Sequence, residues 1–230
     1  MAIDACLYPA IVENGNVKSI IYSSSSMVFQ HAPKYPYTEE DAPNSLPPTN
    51  VYGFSKLAGE YFCKSYFEQY NLPYVILRYH NIYGPGEDSK GSTPGDIHVI
   101  PALIEKVLNG QYPIELLGDP DATRPFTFVD DAIDATVKIV KKTADKDEKV
   151  LNSDFNIGNK DHHKILDLAK IIWKILGDDR PFEYKAVETR AITAKRRELD
   201  PSKVNKIIGW ESAVSLEDGI RVTADWIRQR

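Results

Sequence analysis

Two side chains that could move a proton together, Tyr52 and Lys56, follow a cluster of serines at Ser23–Ser26. On a helix their spacing places both on one face, within reach of each other. A lysine ammonium beside a phenol favours the phenolate, and a serine hydroxyl at the end of a neighbouring strand would complete a proton-transfer triad. Because chance also produces this spacing often, its meaning depends on the elements that carry these residues.

The segments around these residues have the patterns of a strand and a helix. The apolar run 19–23 predicts a short buried strand that delivers the serines at its end. Asn50 is a suitable cap for a helix that begins near Val51 and continues to about Tyr70. Between them, residues 30–50 hold five prolines, and this stretch predicts a long surface loop of the kind that often carries function.

Strands and helices alternate along the rest of the chain. We predict further strands at 73–78, 114–117, 126–129 and 155–158, and further helices at 2–13, 100–108, 130–142, 164–176 and 216–228. Such alternation is typical of an α/β protein whose parallel sheet is covered by helices on both faces.

The composition excludes several classes of protein. The 230 residues carry a formal net charge of −5 without a long single-sign run, which argues against a nucleic-acid surface. No apolar run approaches the length of a membrane span, so we expect no membrane association. Apolar residues flank both cysteines, Cys6 and Cys63. We therefore expect two buried thiols, no metal site and a cytoplasmic location.

Seven segments, in order, resemble the extended short-chain dehydrogenase/reductase family, in particular its NAD-dependent nucleotide-sugar epimerases and dehydratases. They are SSSSMVF (23–29), PPTNVYGFSK (47–56), RYHNIYGPG (78–86), HVIP (98–101), TRPFTFVDD (123–131), FNIGN (155–159) and LDPSKVNKIIGW (199–210). The pattern is most similar to that of UDP-glucose 4-epimerases. The resemblance implies the C-terminal part of a Rossmann-type doubly wound parallel sheet plus a smaller α/β substrate-binding lobe. Residues 1–91 and 127–158 would form the partial dinucleotide-binding lobe, and 92–126 and 159–230 the substrate-binding lobe.

The resemblance also implies roles for individual residues. Tyr52 would be the general acid/base, assisted by Lys56 and Ser25. NAD would be the cofactor, bound by Ser23, Tyr52, Lys56, Tyr79 and His80.

An NDP-sugar, such as a UDP-hexose, would be the substrate. The residues implied to bind it are Ser25, Asn81, His98, Val99, Arg124 and Arg190. Pro125 replaces the usual aspartate after Arg124, and Ala191-Ile192-Thr193 replaces the usual Pro-Gly-Asp after Arg190.

Positions 26 and 27 favour an epimerase over a dehydratase. In the family that the chain resembles, the 4,6-dehydratases carry an acidic residue at one or both of these positions. The elimination of water needs a carboxyl group as acid/base. Ser26 and Met27 supply none. An NDP-sugar reductase or decarboxylase of the same family remains open.

The sequence contains no Gly-x-x-Gly-x-x-Gly turn, with which the family holds the dinucleotide pyrophosphate. It resembles an enzyme of this family from which the first three strand–helix units are missing. Three origins of this gap stay open, namely the natural protein itself, a misassigned start codon or a truncation. The alternative function is a catalytically silent nucleotide-sugar-binding or scaffold protein. Because an uncovered sheet edge invites association, we expect self-association, and the family suggests a homodimer.

Overall fold

The computed structural model describes residues 2–87, 98–188 and 195–230. The helices are α1 (Ala2–Asn14), α2 (Val51–Tyr70), α3 (Val99–Leu108), α4 (Val129–Ala144), α5 (Ile165–Leu176), α6 (Ser202–Ile208) and α7 (Leu216–Arg228). The strands are β1 (Ile20–Ser25), β2 (Tyr74–Tyr79), β3 (Ile82–Tyr83), β4 (Ile114–Leu117), β5 (Thr123–Pro125), β6 (Thr127–Phe128), β7 (Ser153–Ile157), β8 (His162–Lys164) and β9 (Tyr184–Val187). Two 3-10 turns cover Ser26–Phe29 and Glu39–Asn44.

The central sheet is parallel, as predicted, with strand order β1-β2-β7. Tyr79, the last residue of β2, lies opposite Ser25 on one side and Ile157 on the other. The carboxyl ends of all three strands therefore meet at one edge, where open α/β sheets bind their ligands. This arrangement confirms the predicted α/β class.

Helix α2 has the predicted bounds and leans closely on β1. The Asn50 side chain caps it by accepting the N–H of Gly53 at 2.6 Å. A Cβ at Gly59 would lie 2.0 Å from the Tyr22 hydroxyl, and one at Gly53 would lie 2.8 Å from the Pro48 Cβ. Gly59 therefore lets the helix lie close to Tyr22 of the serine strand, and Gly53 lets it lie close to the loop that precedes the helix.

The described residues form four apolar clusters, of which two are the largest. One surrounds the central sheet and includes Val75, Leu77, Phe155 and Ile157. The other joins α3, α5 and α7 through buried residues such as Ile104, Ile172 and Ile220. The short strand pairs β4–β9 and β5–β8 flank this second region. Sequence patterns missed β5, β8, β9 and α6 because three- to seven-residue elements carry too little periodicity.

The proline-rich segment 30–50 contains no α-helix or extended strand and is mostly at the surface, but several of its residues are anchored in the interior. Tyr37 is completely buried, and its backbone pairs with the segment around Leu199. The buried Glu39 carboxylate accepts the backbone N–H of Asn156 at 2.7 Å. These contacts join residues distant in sequence, so local composition could not indicate them.

The expectation of two buried thiols is wrong for Cys6, which is exposed, whereas Cys63 is buried. Tyr8, on the packed face of α1, places its hydroxyl 3.0 Å from the Cys63 sulfur. Cys6 precedes Tyr8 by two residues, about 200° around a helix, and so faces away from this contact. No helix within the described ranges is long and apolar enough to cross a membrane.

Candidate active site

Three consecutive serines at the end of β1 have different partners. Ser23 presents its carbonyl to Lys56, whose Nζ donates to it at 2.8 Å. Ser24 donates its hydroxyl to the Glu60 carboxylate at 2.5 Å and is buried. The Ser25 hydroxyl accepts the N–H of Met27 at 3.2 Å and thereby caps the 3-10 turn. The strand end is therefore held in place by both its backbone and its side chains.

Tyr52 and Lys56 lie on the face of α2 that meets this strand end. The Lys56 ammonium is 5.7 Å from the centre of the Tyr52 ring and equally far from that of Tyr22. Tyr52 is 55% exposed, so a ligand can reach its hydroxyl. The structure thus places the Tyr52 phenol, the anchored Lys56 ammonium and the end of β1 near one another.

A buried ion network beneath these residues joins α2 to the sheet. Arg78, fully buried on β2, donates from Nε and Nη2 to the two Glu60 oxygens at 2.8 and 2.7 Å. Its Nη1 lies 2.8 Å from Asp154 on β7, which also pairs with Lys203 at 2.9 Å. Burial opposes ionisation of Asp154, yet Arg78 and Lys203 hold its pKa below the ordinary value.

Sequence reasoning missed this network, although Glu60 follows Lys56 by four residues and so shares its helix face. A charged residue near the end of a buried apolar strand, such as Arg78, was the other available signal. The contacts of Arg78 hold α2 to the sheet through charge as well as packing.

Tyr79, His80 and Asn81 follow one another at the end of β2. The hydroxyls of Tyr79 and Thr136 form a hydrogen bond of 2.7 Å, and burial raises the pKa of Tyr79. His80 is fully buried, with Nδ1 3.4 Å from the Tyr37 hydroxyl, and burial lowers its pKa to about 3. His80 is therefore a neutral imidazole at physiological pH.

Asn81 has a left-handed backbone with a φ of 42°. Its carbonyl accepts the N–H of Thr127 at 3.2 Å. Its buried amide nitrogen has no hydrogen-bond partner among the described residues. Buried amide donors are normally satisfied, so this nitrogen is an exception at the end of the strand.

The residues expected at the nucleotide lie around the start of α3 and in β5. His98 precedes α3, and its Nδ1 lies 2.6 Å from Glu87; this hydrogen bond raises the pKa of His98. Val99 is the first residue of the helix. The buried Arg124 donates from Nη1 to the carbonyls of Thr123 and Lys195 at 2.6 and 3.3 Å. Arg190 lies outside the described residues.

The pKa of Arg124 falls to about 10, first because of burial and then because of the nearby charge of Arg197. Sequence analysis did not single out Arg197, since Lys195-Arg196-Arg197 looks like an ordinary solvated cluster. Only the structure shows that the last of these cations turns inward towards Arg124.

Comparison with known proteins assigns the chain to a family. Residues 3–158 match the profile of the NAD dependent epimerase/dehydratase family. A dTDP-L-rhamnose 4-epimerase of Burkholderia thailandensis is 34% identical over 182 residues, which are 79% of this chain and 47% of that protein. A trifunctional UDP-glucose 4,6-dehydratase/UDP-4-keto-6-deoxy-D-glucose 3,5-epimerase/UDP-4-keto-L-rhamnose-reductase of Arabidopsis thaliana is 28% identical, over 97% of this chain and 31% of that protein.

Among solved structures, a UDP-N-acetylglucosamine 4-epimerase from Methanobrevibacter ruminantium superimposes with a TM-score of 0.84 at 29% identity. The superposition covers 100% of this chain and 69% of that one. The chain thus spans less than half the length of the two curated relatives and about two thirds of the solved structure. On the profile match, the matching fold and the relatives together, the chain belongs to the NAD-dependent epimerase/dehydratase family.

Proposed function

We propose that this chain carries the acid/base residues and the substrate site of a nucleotide-sugar 4-epimerase. The observation that supports this most directly is the position of Lys56, anchored to the Ser23 carbonyl and next to an exposed Tyr52. An exposed phenol beside a fixed ammonium at the carboxyl edge of a parallel sheet is suited to exchanging a proton with a sugar hydroxyl.

In the proposed reaction, Tyr52 as phenolate accepts the proton of the sugar 4-hydroxyl and later returns it. The positive charge of Lys56 stabilises the phenolate. Ser25, which faces the same strand end, donates a hydrogen bond to the sugar oxygen. Tyr52 would return the proton to O4 after the 4-keto sugar has rotated, and return of the hydride to the opposite face of C4 would invert that carbon without net consumption of cofactor.

The residues present fit the ribose and nicotinamide end of NAD. Lys56 and Tyr52 present polar groups beside the Ser23 backbone, and Tyr79 and His80 lie at the end of the neighbouring strand β2. When bound, NAD⁺ supplies the hydride acceptor and donor for C4. The chain's own contribution is to orient the sugar and to hold the proton.

We assign the substrate diphosphate to Arg124, Asn81 and Arg190, and the nucleotide to the region of His98 and Val99. The planar Arg124 guanidinium suits phosphate oxygens, and the Asn81 amide offers a further donor without added charge. Residues 1–91 with 127–158 would form the cofactor lobe, and 92–126 with 159–230 the substrate lobe.

Product analysis tests this proposal. The full-length gene product, incubated with NAD⁺ and UDP-glucose or another UDP-hexose, should yield the C4 epimer without net formation of NADH. Accumulation of a 4-keto-6-deoxy sugar would contradict the epimerase assignment, because that sugar is the product of water elimination. It is not expected, since Ser26 and Met27 supply no carboxyl for elimination. Binding of UDP-sugars without any turnover would instead support the silent binding protein.

We further propose a homodimer that forms through the exposed face of α2. Phe54 and Tyr61 are 45% and 61% exposed, and they line a shallow apolar groove of about 610 Å³ together with Leu57, Ala58, Phe62 and Tyr66. An apolar helix face of this kind is suited to packing against a second copy of itself.

Light scattering should detect this association. At a protein concentration on the order of tens of micromolar, the unmodified chain should have about twice the monomer mass. Tyr61→Glu should give a monomer, because burying the new carboxylate in the interface is costly. Val137→Glu, an equally apolar exposed position on α4, serves as the control and should leave the mass unchanged. A monomeric unmodified chain would overturn the proposal.

A further inference from the structure

A second guanidinium lies beside Arg124 and has no role in the function proposed so far. The segment containing Arg197 pairs with β5, and the backbone N–H of Arg197 donates to the Thr123 carbonyl at 3.1 Å. Arg124 binds that same carbonyl oxygen through its own side chain. The two arginines are therefore fixed to one short stretch of backbone, from which both side chains extend into the protein.

Arg196 and Arg197 are neighbours in sequence with opposite environments. Arg196 is exposed and forms a two-pronged ion pair with Glu198, with contacts of 3.1 and 2.5 Å. Arg197 is partly buried, and its Nε is inaccessible to solvent and has no hydrogen-bond partner within the described ranges. No carboxylate in those ranges forms an ion pair with it.

This arrangement is unfavourable in the ligand-free protein. Burial of a charge is costly unless that charge is paired, and two neighbouring cations repel each other. Burial accordingly lowers the pKa of Arg197, and the charge of Arg197 adds to the effect of burial on Arg124. The fully buried Arg78 shows how this fold satisfies a structural arginine, with carboxylates on both sides.

The pair also lies close to the reacting end of the site. Arg197 directly precedes Glu198, whose carbonyl accepts the backbone N–H of Tyr37 at 2.9 Å, and the Tyr37 hydroxyl lies 3.4 Å from His80 Nδ1. Tyr37 stacks on Phe29 at 4.3 Å, and Phe29 ends the turn that Ser25 caps. Because His80 follows directly from β2, the cation borders the same carboxyl edge of the sheet as the serines.

We infer that Arg197 binds an anionic oxygen group of the nucleotide sugar and forms with Arg124 a two-arginine anion site. The inference rests on the proposed function and makes it more specific. Two parts of the ligand have the required chemistry, namely the diphosphate and a carboxylate on the sugar. A planar guanidinium binds either one through two parallel hydrogen bonds, which would satisfy the buried Nε.

Calorimetric titration of the 230-residue chain with UDP, UDP-glucose and UDP-glucuronic acid tests this site. Arg197→Met keeps an unbranched apolar stem and removes the charged guanidinium group. Loss of a charge-assisted pair should weaken binding by roughly 10- to 100-fold. An equal loss for all three ligands places Arg197 on the diphosphate, whereas a loss confined to UDP-glucuronic acid places it on a sugar carboxylate.

Two further variants make the result specific. Arg197→Lys should recover only part of the affinity, because an ammonium does not match the two oxygens in the same way. Arg196→Gln removes the neighbouring exposed charge and should change affinity by less than about threefold, since exposed ion pairs contribute little. Arg197→Met should also raise the ligand-free Tm, because it removes a buried unpaired charge.

The outcomes separate the two proposals. If the unmodified chain binds the ligands and Arg197→Met binds all three equally well, the anion site is wrong and the epimerase proposal stands. A fall in ligand-free Tm for a variant that binds normally would identify Arg197 as a structural residue and likewise overturn the inference. If the unmodified chain binds none of the three ligands, both proposals are wrong.

Discussion

Replacing Tyr52 by phenylalanine should lower the rate of the proposed epimerisation by roughly 10²–10⁴, the usual contribution of a positioned acid/base. The change removes one oxygen from a side chain that is 55% exposed, so the fold should tolerate it. Binding of the NDP-sugar should persist, because Arg124, Arg190 and Asn81 are the residues proposed to hold the diphosphate. Initial rates and calorimetric affinities, measured on the same preparation, check both parts.

Arg124→Ala is the matched comparison and should have the opposite effect. It should raise KM and weaken UDP-sugar binding, while the rate at saturating substrate falls much less, because Arg124 is assigned to binding and not to proton transfer. Intact turnover of Tyr52→Phe would remove Tyr52 from the mechanism. A pure loss of kcat in Arg124→Ala would contradict the proposed role of that arginine.

Replacing Glu60 by alanine should destabilise the fold by about 3–5 kcal/mol, the cost typical of breaking a buried ion pair from one side. The change removes both oxygens that Arg78 Nε and Nη2 contact, and the acceptor of the Ser24 hydroxyl. Arg78 is fully buried, so water cannot replace the lost partner. Urea unfolding followed by circular dichroism measures the difference in free energy of unfolding.

Asp134→Ala is the control for this change. It also removes a helical carboxylate from an ion pair, but Lys138 and Asp134 are both exposed. An exposed pair of this kind is worth at most about 1 kcal/mol. If the two substitutions had equal effects, the Arg78–Glu60 pair would not be the element that locks α2 to the sheet.

Sequence by itself determined the elements that depend on local pattern. The start of helix α2 could be placed at Asn50 because a capping side chain acts on backbone groups only a few residues away. The strands with Ser25 and Tyr79 at their ends were equally recognisable, and parallel pairing then brings their carboxyl ends together. The proximity of Tyr52 and Lys56 could be predicted in the same way, because residues four apart on a helix share one face.

Only the tertiary structure decided the contacts between residues far apart in the chain. Whether a charged side chain is exposed like Arg196 or buried like Arg197 depends on which segment crosses it, and residue type does not reveal that. The burial of Tyr37, the exposure of Cys6 and the carboxylates around Arg78 have the same origin. Local propensity acts through neighbours in sequence, whereas burial and ion pairing are set by packing between elements, which a single sequence does not display.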